Sequence, residues 1–374
     1  MSDTREFAAA TLKRVDEKMA AAIRRNPDVI PYTTDDQHRY IDMVKADPYW
    51  WTNGFWGGLL WQMHALTGDA AYKQAAIKVE QHLDQNLFTV DKLDHDNGFK
   101  WLLTAVAHYR HDGSAEAKNR ALLAAGNMAG RFNLNGRYIR AWNDEDGRNR
   151  ANLAIIDCLM NLPLLYWASA EEHDPRFKQI AVAHAEMAQA YMVRADGSVK
   201  HIVMFDPETG DYQGSQGGQG YAHGSSWTRG QAWGIYGFAL SYHYTQDDQF
   251  LATAQRIANY FIANIPADGH IPIDFRMPAP FIEDASAAAI AASGLLTLAE
   301  WVAEADAALY RRAAVRLLRV LVDSGVDWDN GHDELLEHCS AQYNEATHEY
   351  PIIYGDYFFI EALMKLTGQV LPLW

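Results

Sequence analysis

Cysteine is almost absent from this chain of 374 residues, with Cys158 and Cys339 as its two examples. Two cysteines cannot form the disulfide framework of a small secreted protein, so they favour a reducing compartment. No apolar run reaches the ~18 residues that a membrane span needs. Residues 1–20 read as a charged amphipathic helix without the apolar core of a signal peptide. We therefore expect a soluble, cytoplasmic protein without a membrane partner.

Positive charge is also scarce. Lys and Arg total 32 against 48 Asp and Glu, which gives a formal net charge of −16 at pH 7. Nucleic acids and anionic membranes require a basic surface, so this balance argues against both as partners. Hydrophobic residues at 49% and charged residues at 21% are typical of a folded globular chain. Aromatic residues are plentiful, with 12 Trp, 19 Tyr and 14 Phe, and exceed what a core alone usually requires.

Common motifs of cofactor and metal binding are missing. Residues 214–220, GSQGGQG, are glycine-rich but lack the GxGxxG spacing of dinucleotide-binding proteins. The chain has no P-loop, no GxSxG nucleophile elbow, and no CxxC or HExxH metal motif. Residues 327–334, DWDNGHDE, superficially suggest a calcium loop, but Gly331 stands in the wrong place for an EF-hand. The sequence therefore predicts no cofactor and no metal.

One unit recurs along the chain: an apolar helical segment, a short polar break and a second, amphipathic helix. Five copies have their breaks at TGD (67–69), HDGS (111–114), EEHDP (171–175), TQDD (245–248) and AEAD (303–306). A helix near 4–24 and a last one at 354–368 would form a sixth pair if the ends of the chain meet. The first helix of each pair is apolar around most of its circumference, so it must be buried on several sides. The repeat predicts an all-α fold, a closed (α/α)6 barrel that forms a single domain over residues 1–374.

Longer stretches without helical periodicity separate the pairs. They are rich in Gly, Pro, Asn, Asp and aromatic residues, and they cover 25–52, 131–150, 195–228, 266–284 and 323–353. Each one connects an outer helix to the next inner helix, so all of them should gather at one mouth of the ring. Long loops in a compact domain are usually functional, and we therefore expect the functional site at that mouth.

Polar and aromatic residues stand at the start of each inner helix and would point into one cavity if the ring closes. They are Trp51–Asn53, His95–Asn97, Asp157, Trp227–Arg229, Glu283–Asp284 and Gly355–Asp356. An Asp at a helix start is often a cap or a partner for the helix dipole. We interpret Asp284 and Asp356 as caps, and capping is also the simpler explanation for Asp96 taken alone.

Asp157 is different because it lies in an apolar run, next to Ile156 and Cys158. A carboxylate in such a run is rarely fully buried without a partner. Loss of water would raise its pKa and make it a usable general acid near neutral pH. A structural Asp bonded to a loop backbone is the alternative, and the residues alone leave both interpretations open.

Tryptophans gather in the loops and at the inner-helix starts, at Trp50, Trp51, Trp56, Trp142, Trp227 and Trp233. Flat aromatic faces beside polar side chains suit sugar rings, which have apolar C–H faces and hydroxyl edges. Arg229 is placed to make a forked contact with a carboxylate or sulfate, and an internal ion pair is the alternative. His201 is a further candidate because it precedes the aromatic and acidic stretch IVMFDP in the 195–228 loop. The pattern favours a cavity for an anionic sugar.

Six segments match one known family, in order and over most of the chain. They are YWWTNGFW (49–56), HDNGF (95–99), IIDCLMNLPLLYWAS (155–169), FDPETG (205–210), SSWTRGQAWGIYGFAL (225–240) and YGDYFFIEAL (354–363). They resemble the unsaturated glucuronyl hydrolases of glycoside hydrolase family 88, whose fold is an (α/α)6 barrel. The resemblance implies a catalytic domain that removes the non-reducing terminal 4,5-unsaturated glucuronic acid from oligosaccharides made by polysaccharide lyases, including those of glycosaminoglycans.

The resemblance also implies a mechanism, which differs from the two-carboxylate scheme of ordinary glycosidases. An acid protonates C4 of the enol ether, water adds at C5, and the resulting hemiketal opens to a 4-deoxy-5-keto uronic acid. Asp157 corresponds to the family's general acid and base, and Asp96 to its second essential carboxylate. The residues that correspond to the lining of the substrate site are Trp51, Trp142, His201, Gln219, Arg229 and Trp233. No obligate protein partner is evident.

The chain departs from the family pattern around the expected position of the neighbouring sugar. Gly218 stands where relatives often have His, and His223 stands where we align an acidic residue. The loop 338–351 lacks the Ser and Lys pattern that some relatives use for sulfated sugars. These changes leave the linkage and the preferred disaccharide open. Two alternatives remain at this point: an unsaturated rhamnogalacturonyl hydrolase that acts on pectin fragments, and a non-catalytic carbohydrate-binding barrel.

Overall fold

The computed structural model describes residues 2–145 and 147–374, and most of them are helical. The helices in chain order are α1 (Ser2–Arg25), α2 (Met43–Ala46), α3 (Asn53–Thr67), α4 (Ala70–Asp84), α5 (Asn97–Trp101), α6 (Ala107–Asp112), α7 (Ala115–Gly130), α8 (Cys158–Glu172), α9 (Arg176–Tyr191), α10 (Thr228–Thr245), α11 (Asp248–Ala263), α12 (Ala285–Leu298), α13 (Glu304–Val320) and α14 (Ile353–Thr367). A π-helical turn, Leu102–Val106, joins α5 to α6, and a second one, Leu321–Gly325, continues α13.

The predicted (α/α)6 barrel is confirmed. Helices α3, α5, α8, α10, α12 and α14 each pack on the next one, and α14 packs back on α3, which closes the inner ring. Helices α4, α7, α9, α11 and α13 lie outside their partners, and α1 packs on α14. The first and last helices therefore form the sixth pair that the sequence left as a condition.

Inner and outer helices differ in burial as their sequences predict. The inner helix α12, ASAAAIAASGLLTL, is buried along its whole length because other helices surround it on every side. The outer helix α11 buries one stripe, which includes Phe250, Ala254, Ile257 and Phe261. That spacing of three and four residues places the apolar side chains on one face, which packs on the inner ring.

A glycine sets the distance between two inner helices at the site end of the barrel. A Cβ atom on Gly98, in the first turn of α5, would lie 2.5 Å from the Cα atom of Asn161 in α8. Any larger residue would push the two helices apart. Gly98 therefore allows the N-terminal ends of α5 and α8, which carry Asp96 and Asp157, to approach closely.

The long loops contain short strands that the helical repeat does not predict. They are β1 (Pro31–Thr34), β2 (Tyr40–Asp42), β3 (Phe132–Asn133), β4 (Tyr138–Ile139), β5 (Leu153–Ile155), β6 (Ile202–Phe205) and β7 (Tyr212–Gln216). Strands β5, β6 and β7 form an antiparallel sheet in which Ile155 pairs with Ile202. This pairing ties the loop before α8 to the 195–228 loop and brings residues 156 and 201 next to each other.

A buried carboxylate, Glu361 of α14, gathers several polar side chains away from the N-terminal ends of the inner helices. Its oxygens accept hydrogen bonds from Trp374 Nε1 at 2.7 Å, Tyr236 OH at 2.9 Å and Tyr357 OH at 3.0 Å. Lys365 Nζ lies 3.4 Å from the same carboxylate and supplies the opposite charge. Trp374 therefore packs against α14 at this end of the barrel, where its ring also stacks on Phe358 with centroids 5.8 Å apart. None of the helices in the described part of the chain combines the length and hydropathy of a membrane span.

Candidate active site

Asp96 and Asp157 lie side by side at the N-terminal ends of α5 and α8. Asn161, one turn into α8, links them: its Nδ2 donates to Asp96 Oδ1 at 3.1 Å and lies 3.4 Å from the backbone oxygen of Asp157. The Oδ1 atom of Asn161 accepts from the backbone N–H of Phe99 at 2.7 Å, which fixes the orientation of its amide. The two carboxylates predicted from the sequence are thus brought into one site.

Asp157 occupies the position before α8, but its carboxyl group makes no capping bond to that helix. Its side chain is 17% exposed, and Oδ1 is buried without a hydrogen-bond partner within residues 2–145 and 147–374. Burial raises the pKa of Asp157 to about 6, although a backbone hydrogen bond and the charge of Arg229 oppose this shift. A carboxyl group with this pKa is half protonated near pH 6 and keeps a protonated fraction at neutral pH, which an aspartate with an ordinary pKa does not, so it can serve as a general acid.

Asp96 is more deeply buried, with 7% of its side chain exposed. Burial, together with the negative charges of Asp94 and Asp157, raises its pKa well above the usual range, and the charge of Lys100 acts in the opposite direction. The interpretation of Asp96 as a helix cap is wrong, because its side chain makes no cap hydrogen bond and instead accepts from Asn161 on the neighbouring helix.

His201 faces Asp157 from the strand pair. The backbone N–H of Ile156 donates to the backbone oxygen of His201 at 3.1 Å, and His201 Nε2 lies 3.8 Å from Asp157 Oδ1. Its Nδ1 accepts from the backbone N–H of Gln219 at 2.9 Å, so in the neutral ring the proton resides on Nε2. Burial lowers the pKa of His201 to about 3, which keeps the ring neutral.

Gly218 makes the bond between Gln219 and His201 possible. Its φ of 62° lies in the left-handed region, and a Cβ atom there would lie 1.9 Å from His201 Nδ1. A side chain at this position would strike the imidazole ring. Gly218, which we expect to depart from the family pattern, therefore lies against His201, whereas His223 is exposed on the same loop.

His95 is a neighbour that sequence reasoning placed at an inner-helix start without selecting it as a site residue. It is fully buried, and its Nε2 lies 3.4 Å from Asp96 Oδ2, without hydrogen-bond geometry. Burial lowers the pKa of His95 to about 4.

Asn161 is a second site residue that the sequence analysis did not select. Its position four residues after Asp157 places it on the same face of the helix, and this spacing could have identified it.

The tryptophans predicted to line the site differ in how much surface they offer. Trp51 is partly buried, and its ring stacks on Tyr354 with centroids 5.2 Å apart. Trp142 is partly buried in its loop, with the Arg150 guanidinium 5.5 Å from its ring centroid. Trp233 is 1% exposed and packs on Phe99, so it lies under the site as part of the floor. Direct contact between Trp233 and a sugar stays a prediction.

Arg229 forms the internal ion pair that the sequence left as an alternative. Its guanidinium, 1% exposed, donates to Asp284 Oδ2 at 2.7 Å, to the backbone oxygen of Ser340 at 2.7 Å and to that of Ala341. The forked contact that was expected to meet a substrate anion is thus made within the protein. Its charge still reaches the site, because it lowers the pKa of Asp157.

Two predicted helix caps have different outcomes. Asp284 is the residue before α12, and its Oδ1 accepts from the backbone N–H of Ser286 at 3.2 Å, so the prediction of a cap is confirmed. Asp356 lies inside α14 and does not cap that helix. Its carboxyl group accepts from the backbone N–H groups of Leu335 and Leu336, so the interpretation of Asp356 as a cap is wrong. The position of the Asp356 carboxyl group is therefore set by the loop before α14 and not by the helix itself.

Gln219 holds the 338–351 loop against the site. Its Nε2 donates to the backbone oxygen of Ala341 at 2.9 Å, and its own backbone oxygen accepts from the N–H of Tyr343 at 2.9 Å. Tyr343 also meets Tyr221, with ring centroids 5.0 Å apart. The 338–351 loop is therefore bonded directly to a predicted site residue.

Comparison with known proteins agrees with this architecture. The sequence model described as Glycosyl Hydrolase Family 88 matches residues 23–270. The unsaturated glucuronyl hydrolase of Bacillus sp. (strain GL1) is 36% identical over 363 residues, which cover 95% of each chain. The unsaturated chondroitin disaccharide hydrolase of Streptococcus pyogenes serotype M1 is 31% identical over 92% of this chain and 86% of that protein.

A solved structure from the same group of relatives has the same fold as this chain. The crystal structure of the unsaturated glucuronyl hydrolase from Streptococcus agalactiae superposes with a TM-score of 0.91 at 30% identity, and the match covers 100% of this chain and 94% of that one. The fold is therefore shared along almost the entire length of both chains.

Proposed function

Because this chain belongs to Glycosyl Hydrolase Family 88, we propose that it releases the terminal 4,5-unsaturated glucuronic acid from oligosaccharides cut by a polysaccharide lyase. The names of its relatives, unsaturated glucuronyl hydrolase and unsaturated chondroitin disaccharide hydrolase, support this substrate class. The whole barrel serves as one catalytic domain. A cytoplasmic location is part of the proposal, and the two free, buried cysteines support it.

Asp157 is the proposed proton donor. In its protonated form it transfers a proton to C4 of the enol ether, and positive charge develops at C5 and the ring oxygen. Water then adds at C5 and returns a proton to the Asp157 carboxylate. The hemiketal opens to the 5-keto form, C1 is left as a hemiacetal, and the second sugar departs. A pKa of about 6 supports both halves of this cycle, because the group can donate and then accept.

Asp96 and His201 act on the two sides of Asp157 in this proposal. A protonated Asp96 adds no second negative charge beside Asp157 and can donate a hydrogen bond. The Nε2–H of a neutral His201 points to the Asp157 side and can hold the carboxylate or the incoming water. Trp51 and Trp142 offer partly buried aromatic faces to the sugar, Gln219 offers its amide, and Arg229 contributes its positive charge.

One observation carries the proposal. Asp157 Oδ1 is buried and unpartnered within the described residues, and His201 Nε2 lies 3.8 Å away. A buried carboxyl oxygen without a partner is unfavourable for folding, by about 1–3 kcal/mol for such groups. Its retention beside Asp96 and His201 is expected where a substrate supplies the missing partner.

The test is the absorbance of the conjugated double bond during incubation with unsaturated disaccharides. We expect the absorbance to disappear with at least one of the chondroitin, hyaluronan or heparin disaccharides, and to persist with Asp157→Asn. Asp91→Asn, an exposed aspartate on the loop before α5, is the matched control and should retain full activity. Loss of absorbance with rhamnose-linked pectin fragments alone would replace the proposed substrate, and no loss with any substrate would leave a non-catalytic barrel.

A further inference from the structure

A second cluster of titratable side chains lies between two segments that are far apart in the chain. His38 comes from the turn between β1 and β2, and Asp327, His332 and Glu334 come from the segment between α13 and α14. Each of the four offers one ligand atom, and these atoms all lie within 4.8 Å of one another. Three of them belong to the stretch 327–334 that only superficially suggested a calcium loop, and His38 is the member that sequence spacing could not supply.

The contacts inside this cluster pair each imidazole with a carboxylate. His38 Nδ1 contacts Glu334 Oε1, and His332 Nδ1 lies 2.5 Å from Asp327 Oδ2. The two imidazole rings are stacked, with centroids 3.9 Å apart and planes 9° from parallel. His38 holds a φ of 58°, a region that residues other than glycine seldom adopt.

Glu334 supplies an independent sign of a missing ligand. Its side chain is fully buried, and Oε2 has no hydrogen-bond partner among the residues that the structure describes. A buried carboxylate oxygen without a hydrogen-bond partner is unfavourable for folding. The oxygen belongs to a group whose other oxygen already faces the cluster.

The balance of charge favours a cation. Two carboxylates within 4.8 Å of each other repel unless positive charge lies between them. Protonation of both imidazoles would supply that charge, but it would also place two cations face to face at 3.9 Å. Lys18 Nζ lies 3.6 Å from Asp327 Oδ1, and the backbone N–H of Asp329 donates to the same oxygen. Asp327 Oδ2 meets another member of the cluster, His332 Nδ1, and Glu334 Oε2 is therefore the carboxylate oxygen that is left without a partner among the described residues.

We propose that His38, Asp327, His332 and Glu334 form a site for a divalent transition-metal ion, with zinc as the ion that suits two imidazoles and two carboxylates. The hard ions Mg²⁺ and Ca²⁺ prefer oxygen ligands alone and fit this set poorly. The site fastens the 35–40 turn to the 327–334 segment, next to the backbone bond from Asp333 N–H to the oxygen of His38 at 3.1 Å. Its role is therefore to lock the first and last loops of the barrel together.

The experiment is calorimetric titration of tag-free, chelator-treated full-length protein with ZnCl₂, with CaCl₂ in a parallel run. We expect one equivalent of zinc to bind, calcium to give no heat, and the melting temperature to rise with zinc concentration. His332→Gln should weaken zinc binding at least about tenfold. His82→Gln, an exposed histidine on α4, is the matched control and should bind zinc as the unmodified chain does.

Three outcomes would overturn the site: no zinc binding, equal affinity in His332→Gln and His82→Gln, or binding of calcium in place of zinc. We choose His332→Gln as the primary variant because the His332 side chain is 31% exposed. Glu334→Gln would change a fully buried group and is more disruptive to folding. If His332→Gln fails to fold, the visible absorption spectrum of the unmodified chain with Co²⁺ tests the site instead. Intense visible bands of tetrahedral cobalt would support the site, and their absence would reject it.

Discussion

The backbone N–H of Gln219 donates to His201 Nδ1 at 2.9 Å, and this single bond determines which ring nitrogen of His201 faces Asp157. The proton resides on Nε2, 3.8 Å from Asp157 Oδ1. A main-chain donor is well suited to this task because its direction is set by the loop. The loop can adopt this path because Gly218 brings no side chain against the imidazole.

Gly218→Ala tests this relationship. The added Cβ would lie 1.9 Å from His201 Nδ1, so the ring or the loop must move and the bond from Gln219 is lost. We expect kcat/KM for unsaturated disaccharides to fall by roughly tenfold to a thousandfold, since displacement by about 1 Å near a reacting centre has effects of about a hundredfold. Nitrogen NMR of His201 should show a mixture of ring tautomers in place of one.

The control for backbone strain is Gly113→Ala. Gly113 also has a positive φ, 77°, but a Cβ atom there meets nothing within 4 Å. Gly113→Ala therefore introduces backbone strain without a clash, and we expect it to lose about 1 kcal/mol of stability and to retain its activity. If Gly218→Ala retains its activity and loses no more stability than Gly113→Ala does, the proposed positioning of His201 is wrong.

The pH profile should report Asp157. A general acid works in its protonated form, and burial raises the pKa of this group to about 6. The kcat/KM of the hydrolysis should therefore fall as the pH rises through about 6, by tenfold for each further unit. A profile that stays flat from pH 5 to pH 8, measured by loss of the double-bond absorbance, would exclude Asp157 as the donor.

Stability should change with pH in the same window, and the sign follows from the raised pKa. Between the ordinary value of 3.8 and about 6 the folded state binds more protons at Asp157 than the unfolded state does, so stability falls as the pH rises. Asp157→Asn removes this penalty. We expect the variant to be more stable than the unmodified chain by about 1–3 kcal/mol at pH 8, and by nearly nothing at pH 4.

Urea unfolding at the two pH values measures this difference. Asp91→Asn should change stability little at either pH, because that side chain is exposed. A variant that gains stability while losing activity is the pattern expected where a strained group is kept for function. An equal loss of stability at both pH values would instead mean that Asp157 has a structural role.

Asn161 should matter for both carboxylates. Asn161→Ala removes the bond to Asp96 Oδ1 and leaves the buried N–H of Phe99 without its acceptor. We expect a loss of about 1–3 kcal/mol in stability, and a shift of the pH profile because Asp96 loses a bond that lowers its pKa. Asn53→Ala, a buried asparagine at the start of α3 that bonds to backbone oxygens, should lose stability without that shift. Identical pH profiles for the two variants would contradict the linkage.

The sequence predicts those parts of the structure that depend on local pattern. The spacing of apolar residues indicates the paired helices, and Asp157 is conspicuous because its neighbours in the chain are apolar. The local pattern gives the wrong interpretation of Asp96 and Asp356 as caps, because their partners come from other parts of the chain. Those partners are Asn161 and the backbone of Leu335 and Leu336. No local pattern contains that information.

The short strands and the pairs of residues far apart in the chain could not be predicted from the sequence either. Strand β6 pairs with β5 across the whole α8–α9 hairpin, and this pairing, not the chain near Asp157, brings His201 to the site. His38 lies almost three hundred residues from Glu334, so the histidine and carboxylate cluster has no sequence signature. The resemblance to a family supplied site residues, but it did not show that Arg229 is already engaged by Asp284.

The pair Arg229–Asp284 should behave as a buried structural unit. Both side chains are almost inaccessible, and Asp284 also accepts from the backbone N–H groups of Ser286 and Ser340. Asp284→Asn leaves the Arg229 charge without its counter-ion, so we expect a loss of about 3–5 kcal/mol in urea unfolding. Glu186→Gln breaks the exposed pair with Arg137 and should change stability by about 1 kcal/mol or less. If the two variants lose equal stability, the buried pair between Arg229 and Asp284 contributes no more to stability than an exposed ion pair does. If Asp284→Asn retains its stability and gains affinity for the unsaturated disaccharide, Arg229 binds the substrate anion directly.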